Sequence, residues 1–220
     1  MTKFKQSNTA KYLTSIYSVS TPTECASIYD SWSESYDVDV VQGNVEYVAP
    51  RATALRAKTE GGNMTGSILD AGCGTGLVGV ALAQYGAKNI DGIDLSSGML
   101  NEARKTGVYR DLSIVDMSKQ IDKPDESYDV ITCCGTFTPG HVGPDPGIKE
   151  LVRLAKKGGV IVATITDVIF DTGGYRAEIE RLASDGLITI VATAKEPYRV
   201  GSNTLAHMVV LRRSNLAIGH

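Results

Sequence analysis

The stretch Ser67 to Gly79, S-I-L-D-A-G-C-G-T-G-L-V-G, constrains this chain more than any other. Ser67-Ile68-Leu69 is a short apolar run that reads as a buried strand and ends at Asp70. Gly72, Gly74 and Gly76 then alternate before an apolar helical pattern begins at Leu77. Glycines at such a junction let backbone N–H groups approach a ligand closely, with a helix N-terminus just behind them. A strand, a glycine turn and a helix open a nucleotide-binding α/β unit. Two registers fit the glycines. Gly74-x-Gly76-x-x-Gly79 satisfies the dinucleotide fingerprint, with Asp94 at roughly the 20-residue distance of a ribose-binding acid. Shifted two residues back, Asp70 leads Gly72, Gly74 and Gly76, and the rest of the chain has to choose between the two.

The surrounding pattern alternates strand and helix. Strand Ser67–Ala71 leads to a helix from Thr75 to about Tyr85, and strand Asn89–Leu95 to a helix from Ser97 to about Lys105. Strand Leu112–Val115, a loop and strand Tyr128–Cys134 follow. Asp145-Pro146 starts a helix with Ile148, Leu151, Val152 and Ala155 on its apolar face, which Gly158 is expected to end. Strand Gly159–Ile165, helix Tyr175–Ser184 and strands Leu187–Ala194 and Ala206–Arg212 complete the chain. Such alternation predicts a doubly wound, mostly parallel sheet. Only a polar loop with Pro197 and Gly201-Ser202-Asn203 joins the last two strands. It is too short for a parallel crossover, so they should form an antiparallel hairpin.

Before the sheet, Thr21-Pro22-Thr23-Glu24 is a helix start, with an N-cap Thr, Pro at the first position and Glu three residues after the cap. Cys25, Ile28, Tyr29, Trp32 and Tyr36 then recur on one helical face. A second helix is expected from about Asn44 to Lys58, with a start or kink at Pro50. Thr59 to Gly66 reads as the linker into the main domain, dividing the chain into a tail and helical cap (1–60) and a main domain (61–220). Residues Met1 to Ser20 are rich in Ser, Thr and Lys and lack arginine. A loosely docked tail is the expectation there, with an organelle-targeting segment as the alternative.

The bulk numbers exclude several classes. A chain of 220 residues suits one α/β domain with a modest extension. A net charge of −3 gives no electrostatic footprint for nucleic acid or an anionic membrane. No apolar run approaches the roughly 20 residues needed to span a bilayer. The cysteines Cys25, Cys73, Cys133 and Cys134 lack zinc-ligand spacing, and Cys133 and Cys134 would face opposite sides of a strand. They read as reduced thiols in a cytoplasmic protein.

Asp70-Ala71-Gly72-Cys73-Gly74-Thr75-Gly76 resembles the D-x-G-x-G-x-G motif of class I S-adenosylmethionine methyltransferases. Asp94 ending the second strand, Asp116 after the third, Tyr128–Cys134 as the fourth and the closing hairpin follow in that family's order. The resemblance covers Ser67 to Arg212. Ile28-Tyr29-Asp30-x-Trp32-x-x-x-Tyr36-Asp37 also resembles the segment preceding many small-molecule methyltransferase domains. With Leu69–Val80 and Leu95–Leu100, the chain is most similar to the Williams–Beuren-region methyltransferase-like proteins. The resemblance implies a Rossmann-like, seven-stranded sheet with helices on both faces and an N-terminal helical cap.

It also implies roles. Asp94, at a strand's C-terminal end, can accept hydrogens from both ribose hydroxyls. Asp116 and the Met117 N–H are expected at the adenine edge, with Leu95 and Met99 against its faces. Gly72, Cys73 and Gly74 should pass the methionine part of the cofactor, and Asp70 should hold the loop near the ammonium group. Tyr29 and Tyr36 form a packing stripe by default; in the resembling family that helix caps the cofactor pocket, which makes both candidate contacts. Arg51 is a candidate for the cofactor carboxylate or a solvated helix arginine. Gly79 becomes a helix residue packed close to the sheet.

Methyl transfer from a sulfonium is an in-line displacement that needs mainly proximity and alignment. The acceptor side should lie beyond the fourth strand, at Cys133 to Phe137 and the loop through His141. His141 has an unperturbed pKa suited to a general base, but a rim histidine is the plainer reading. His207, within the last strand, reads as structural. No N/D-P-P-Y/F motif follows the fourth strand, nor an Asp there to hold a hard cation. These features predict a metal-independent methyltransferase acting on a small molecule at O, N or S, as a monomer or weak homodimer. A S-adenosylmethionine-binding regulatory protein and a nicotinamide oxidoreductase are the alternatives.

Overall fold

A computed structural model describes residues 9–16, 21–41, 46–201 and 204–215. The elements in chain order are α1 (Thr9–Ile16), α2 (Pro22–Val41), α3 (Ala49–Thr59), β1 (Ser67–Ala71), α4 (Leu77–Gln84), β2 (Asn89–Asp94), α5 (Ser97–Lys105) and β3 (Tyr109–Ile114). They continue with β4 (Tyr128–Phe137), α6 (Pro144–Leu154), β5 (Ala155–Thr166), α7 (Asp167–Phe170), α8 (Tyr175–Ser184), β6 (Ile188–Arg199) and β7 (Thr204–Arg213). The strands form one seven-stranded sheet in the order β3-β2-β1-β4-β5-β7-β6. β1 to β5 pair in parallel, whereas β7 runs antiparallel to both β5 and β6. The short connection after Arg199 therefore makes the expected hairpin.

Strand alternation assigns each face its own core. Leu69, Ile131 and Ile161 pack with Ile148, Leu151, Ile179 and Leu182 of α6 and α8. Ile68, Val130 and Val160 pack on the other face with Ala54 and Ala57 of α3 and Val78 and Leu82 of α4. Near-continuous burial along β1 and β4 is what a parallel sheet covered on both faces requires. Reversal of strand order around β1 and β4 opens a crevice at their carboxyl ends, where ligands bind in such sheets.

Several boundaries move for identifiable reasons. α3 begins at Ala49, with Pro50 in its first turn, where the missing N–H costs nothing; residues 42–45 lie outside the described set. β3 begins at Tyr109, three residues early, because its Arg110 and Asp111 are exposed on an edge strand and carry no apolar signal. α6 ends at Leu154 rather than at Gly158. Ala155 already pairs with Tyr128, and the chain bulges before Val160 pairs with Val130, with Gly158 at φ +76° inside that bulge. The amino-terminal stretch is not all loose tail. Residues 9–16 form a helix docked by Tyr12 stacking on Trp32, 5.0 Å between ring centroids, and by the buried Ile16; residues 1–8 and 17–20 lie outside the described set. At the start of α2 the expected capping box forms, the Glu24 N–H donating to Thr21 Oγ1 and the Thr21 N–H to the Glu24 carboxylate.

Candidate active site

The carboxyl ends of β1, β2 and β4 open into a cleft of about 1140 Å³, counted out to its mouth. One wall is the glycine loop. Gly72 sits at φ +68°, and a Cβ there would lie 1.9 Å from Thr136 Oγ1, so this position excludes any side chain. Gly74 has nothing within 4 Å of where its Cβ would be, so its bare backbone faces open space. Asp94, at the end of β2, fastens the loop: it accepts from the Gly74 N–H at 2.8 Å and the Ser96 N–H at 2.9 Å. Burial pushes the Asp94 carboxyl upward, and the backbone donors Ser96, Gly74 and Leu95 pull it back down. Each carboxylate oxygen takes one of the Gly74 and Ser96 hydrogen bonds, and Asp94 lines the cleft.

Leu95, Met99, Asp116 and Met117 form the adjoining end of the cleft, as expected from their places after β2 and β3. Burial raises the Asp116 carboxyl, but hydrogen bonds from Ser118 and Lys119 outweigh it and hold the group below the usual carboxylate range. Ser96 caps α5 by accepting from the Met99 N–H at 3.1 Å, which fixes Met99 at the cleft wall.

Asp70 and Cys133 are not at the cleft wall. Asp70 is fully buried beneath the loop, accepting from Tyr109 Oη at 2.7 Å and Thr132 Oγ1 at 2.9 Å. Tyr109 reaches it past Gly79: a Cβ on Gly79 would lie 2.2 Å from the tyrosine oxygen. The glycine at 79 thus clears a path for a hydroxyl and does not line the cleft. Cys133 faces the α6/α8 core, and the alternation of β4 turns Cys134 toward the cleft instead. Arg51 is exposed on α3 and lies outside the cleft wall.

Asp70 yields a pH prediction. Burial raises its carboxyl from an ordinary 3.8 to about 6, against the opposing pull of Tyr109 and Thr132. The folded state therefore holds this proton more tightly than the unfolded state. Stability attributable to Asp70 is greatest below its unfolded pKa and falls as pH rises toward 6, by roughly 3 kcal/mol in total. Urea unfolding of the wild type and Asp70→Asn between pH 4 and 7.5 should show their stability difference moving against the wild type over that window. A pH-independent difference would refute the assignment.

The roof comes from α2. Tyr29, Tyr36 and Cys25 line the cleft, while Trp32 is buried with Ile16 and Val40 in a satellite core. Beyond β4, His141 also reaches the cleft. Its Nδ1 lies 3.0 Å from both the Pro139 carbonyl, which can only accept, and Thr138 Oγ1, which can accept or donate, so a ring proton on Nδ1 satisfies both partners. Nε2 is then an acceptor, 3.1 Å from Tyr29 Oη. Burial lowers the His141 pKa, partly offset by the Pro139 carbonyl, which keeps the ring neutral near pH 7. His207, by contrast, stacks on Phe170 and bonds Asp167 at 3.0 Å, away from the cleft.

Two aspartates carry a role the sequence reading did not give them. Asp30 Oδ1 accepts from Ser96 Oγ at 2.6 Å and the Gly98 N–H at 2.7 Å, at the start of α5. Asp37 Oδ1 accepts from Thr75 Oγ1 at 2.5 Å, on the glycine loop itself. Both belong to the Tyr29-Asp30 and Tyr36-Asp37 pairs of α2. Cys134, Gly135 and Thr136 line the cleft within the stretch expected for the acceptor side, and Tyr47 joins them without having been expected there. Tyr47 had no periodic context.

Residues 68–159 match the family model described as a methyltransferase domain. Human methyltransferase-like protein 27 is 34% identical over 139 residues, covering 62% of this chain and 55% of that protein. A ubiquinone biosynthesis O-methyltransferase of Pseudomonas aeruginosa is 37% identical over 105 residues, 44% of each chain. The chain thus spans about half the length of the curated relatives it matches. Among solved structures, the [4+2]-cyclase SpnF aligns with a TM-score of 0.68 at 18% identity, covering 88% of this chain and 96% of that one. Magnesium protoporphyrin IX methyltransferase from Synechocystis, solved with bound SAH, aligns with a TM-score of 0.57 at 21% identity, covering 75% and 82%. The structural likenesses show the fold, including the antiparallel end that a nicotinamide Rossmann sheet lacks. Residues 68–159 thus carry a methyltransferase domain, and the fold around them is the one seen in S-adenosylmethionine-dependent methyltransferases.

Proposed function

We propose that the protein transfers a methyl group from S-adenosylmethionine to a hydroxyl oxygen of a small molecule. The observation that carries this reading is the convergence in one cleft of a cofactor-type glycine loop with Asp94 and a neutral His141–Tyr29 pair. The residues fit the cofactor: the glycine loop leaves open space at Gly74, and the acceptor capacity remaining on each oxygen of Asp94 suits the ribose hydroxyls. Asp116 and Met117 would take the adenine edge, and Leu95 and Met99 its faces. When bound, the cofactor supplies an electrophilic methyl on sulfur.

The chain's own work is alignment and proton handling. Tyr29 donates its hydroxyl hydrogen to His141 Nε2 and can accept the acceptor's hydroxyl proton as its own moves onto Nε2. The Pro139 carbonyl, as partner of Nδ1–H, would stabilise the imidazolium so formed. This side of the cleft carries a histidine and tyrosines where a hard cation would need carboxylates. The O-methyltransferase name of one group of relatives supports oxygen over nitrogen or sulfur.

Release of S-adenosylhomocysteine should be measured across matched hydroxyl, amine and thiol acceptors. Turnover is expected with hydroxyls, and His141→Ala should lower kcat on the order of 10²-fold with S-adenosylhomocysteine affinity unchanged. Full turnover by His141→Ala across pH would remove the proton role. Cofactor binding without release for any acceptor would favour a regulatory protein, a reading kept open by a fold neighbour named as a cyclase. Thermal stabilisation by NADH alone would overturn the whole reading.

A further inference from the structure

The main cleft holds a second polar position besides the Tyr29–His141 pair. Tyr47, just before α3, lines the wall with Cys134 and Gly135 of β4. Its hydroxyl lies 2.9 Å from that of Tyr198 in β6, a residue that does not line the cleft. A Cβ on Gly135 would lie 2.8 Å from Tyr47 Oη and 3.1 Å from Tyr198 Oη, so both hydroxyls close over bare backbone. Two phenols hold two hydroxyl hydrogens, and the hydrogen bond between them uses one. Among the described residues the other has a single partner in reach, Cys134 Sγ at 3.6 Å from Tyr47 Oη, and a thiol sulfur is a weak acceptor. Tyr198 makes no other hydrogen bond among the described residues. Both hydrogens are therefore placed when Tyr198 donates to Tyr47 and Tyr47 donates onward, on the cleft side.

Burial pushes both phenols well above their ordinary range, so each keeps its proton at neutral pH and the pair is an uncharged donor. Charge then decides what can accept from it. Among the described residues, Asp94 and Asp116 carry the acidic charge of the cleft wall, and no Lys or Arg lines it. Arg199, over the rings of Tyr47 and Tyr198, has its own partner and stands outside that wall. A carboxylate at Tyr47 would lose water with no cation opposite it, in the field of two acids. A carbonyl oxygen takes the same hydrogen bond without a charge to desolvate. Tyr29, Tyr36 and Tyr47 all line the cleft, and their flat rings suit an aromatic partner.

We infer that the acceptor is an uncharged hydroxyaryl carbonyl compound, with its hydroxyl at Tyr29–His141 and its carbonyl oxygen accepting from Tyr47. This rests on the methyltransferase reading above, and names the acceptor class and a residue that selects it. Tyr47 recognises the acceptor and takes no part in the proton transfer. Tyr198 is a positioning residue, since its hydrogen bond aims the Tyr47 hydroxyl.

The test uses three probes of one shape: 4-hydroxyacetophenone, 4-ethylphenol and 4-hydroxybenzoate. Binding to the full chain saturated with S-adenosylhomocysteine is measured by calorimetry at neutral pH, so the result does not depend on turnover. The ketone is expected to bind roughly tenfold more tightly than the ethylphenol, the scale of one hydrogen bond, and the carboxylate more weakly than either. Tyr47→Phe should bring the ketone down to the affinity of the ethylphenol and leave the ethylphenol where it was. Tyr198→Phe keeps the Tyr47 hydroxyl but not its aim, and should lose part of the ketone's advantage. Both variants should keep wild-type S-adenosylhomocysteine affinity. Equal binding of ketone and ethylphenol, tightest binding of the carboxylate, or no binding of any probe would overturn the inference. So would a full ketone preference surviving in either variant. A matching loss of S-adenosylhomocysteine affinity in Tyr47→Phe would also overturn it, by assigning Tyr47 to the cofactor. Failure of the wild type to bind S-adenosylhomocysteine at all would instead refute the methyltransferase reading.

Discussion

Asp94→Ala is expected to lower affinity for S-adenosylmethionine by about 100-fold or more while the chain stays folded. The two ribose hydroxyls would each donate to a carboxylate, and hydrogen bonds to charged acceptors are worth about 1.5–3 kcal/mol apiece. A pair of them exceeds the 2.7 kcal/mol that corresponds to roughly two decades of affinity. The fold should survive because the carboxylate is a mixed asset without ligand. Burial disfavours its charge, and Asp30 nearby adds like-charge repulsion. Its removal relieves both effects but releases the Gly74 and Ser96 N–H groups, which the open cleft lets water satisfy. Titration of S-adenosylhomocysteine by calorimetry, alongside thermal unfolding, separates binding from stability. Wild-type affinity in the variant would refute the ribose assignment. Loss of cooperative unfolding would show that Asp94 is chiefly a structural clasp for the loop.

The features legible in the sequence were those that local rules enforce. A glycine loop between a buried run and an apolar helix, an acid ending β2 and a linker too short for a crossover dictate their own geometry. The hairpin followed from the connection length alone, and β7 does run antiparallel to β5 and β6. Contacts whose meaning depends on distant partners were not legible. Asp70 looked like a loop acid facing the ligand, yet Tyr109 from β3 and Thr132 from β4 claim it from below. Cys133 and Cys134 were known to face opposite ways, but only the packing of α6 and α8 says which one faces inward. The bulge after Leu154 is likewise a product of pairing with β4, which no property of Lys156–Gly159 announces.

Removing Asp30 or Asp37 should weaken cofactor binding although neither lines the cleft. These carboxylates fasten α2 to the two elements that shape the cofactor site: Asp30 to the first turn of α5, and Asp37 to Thr75 of the glycine loop. An anion at a helix N-terminus also meets the positive end of the helix dipole, so the Asp30 contact gains from both sources. The fit is close, since a Cβ on Gly98 would lie 2.9 Å from Asp30 Cα. α2 supplies Tyr29, Tyr36 and Cys25 to the cleft, so any loosening of its dock withdraws the roof. Trp32 in its satellite core keeps the helix formed and near the domain, which limits the damage to docking. Asp30→Ala and Asp37→Ala are each expected to lower S-adenosylhomocysteine affinity roughly tenfold, the scale of one charge-assisted hydrogen bond. Gly98→Ala should reproduce the Asp30 effect from the opposite surface with no change of charge, which excludes a purely electrostatic origin. By linkage, bound S-adenosylhomocysteine should slow hydrogen exchange of the α2 amides by the same factor that docking adds to its affinity. Unchanged exchange in α2 on saturation, with all three variants binding as the wild type does, would show that the cap and the cofactor site are independent.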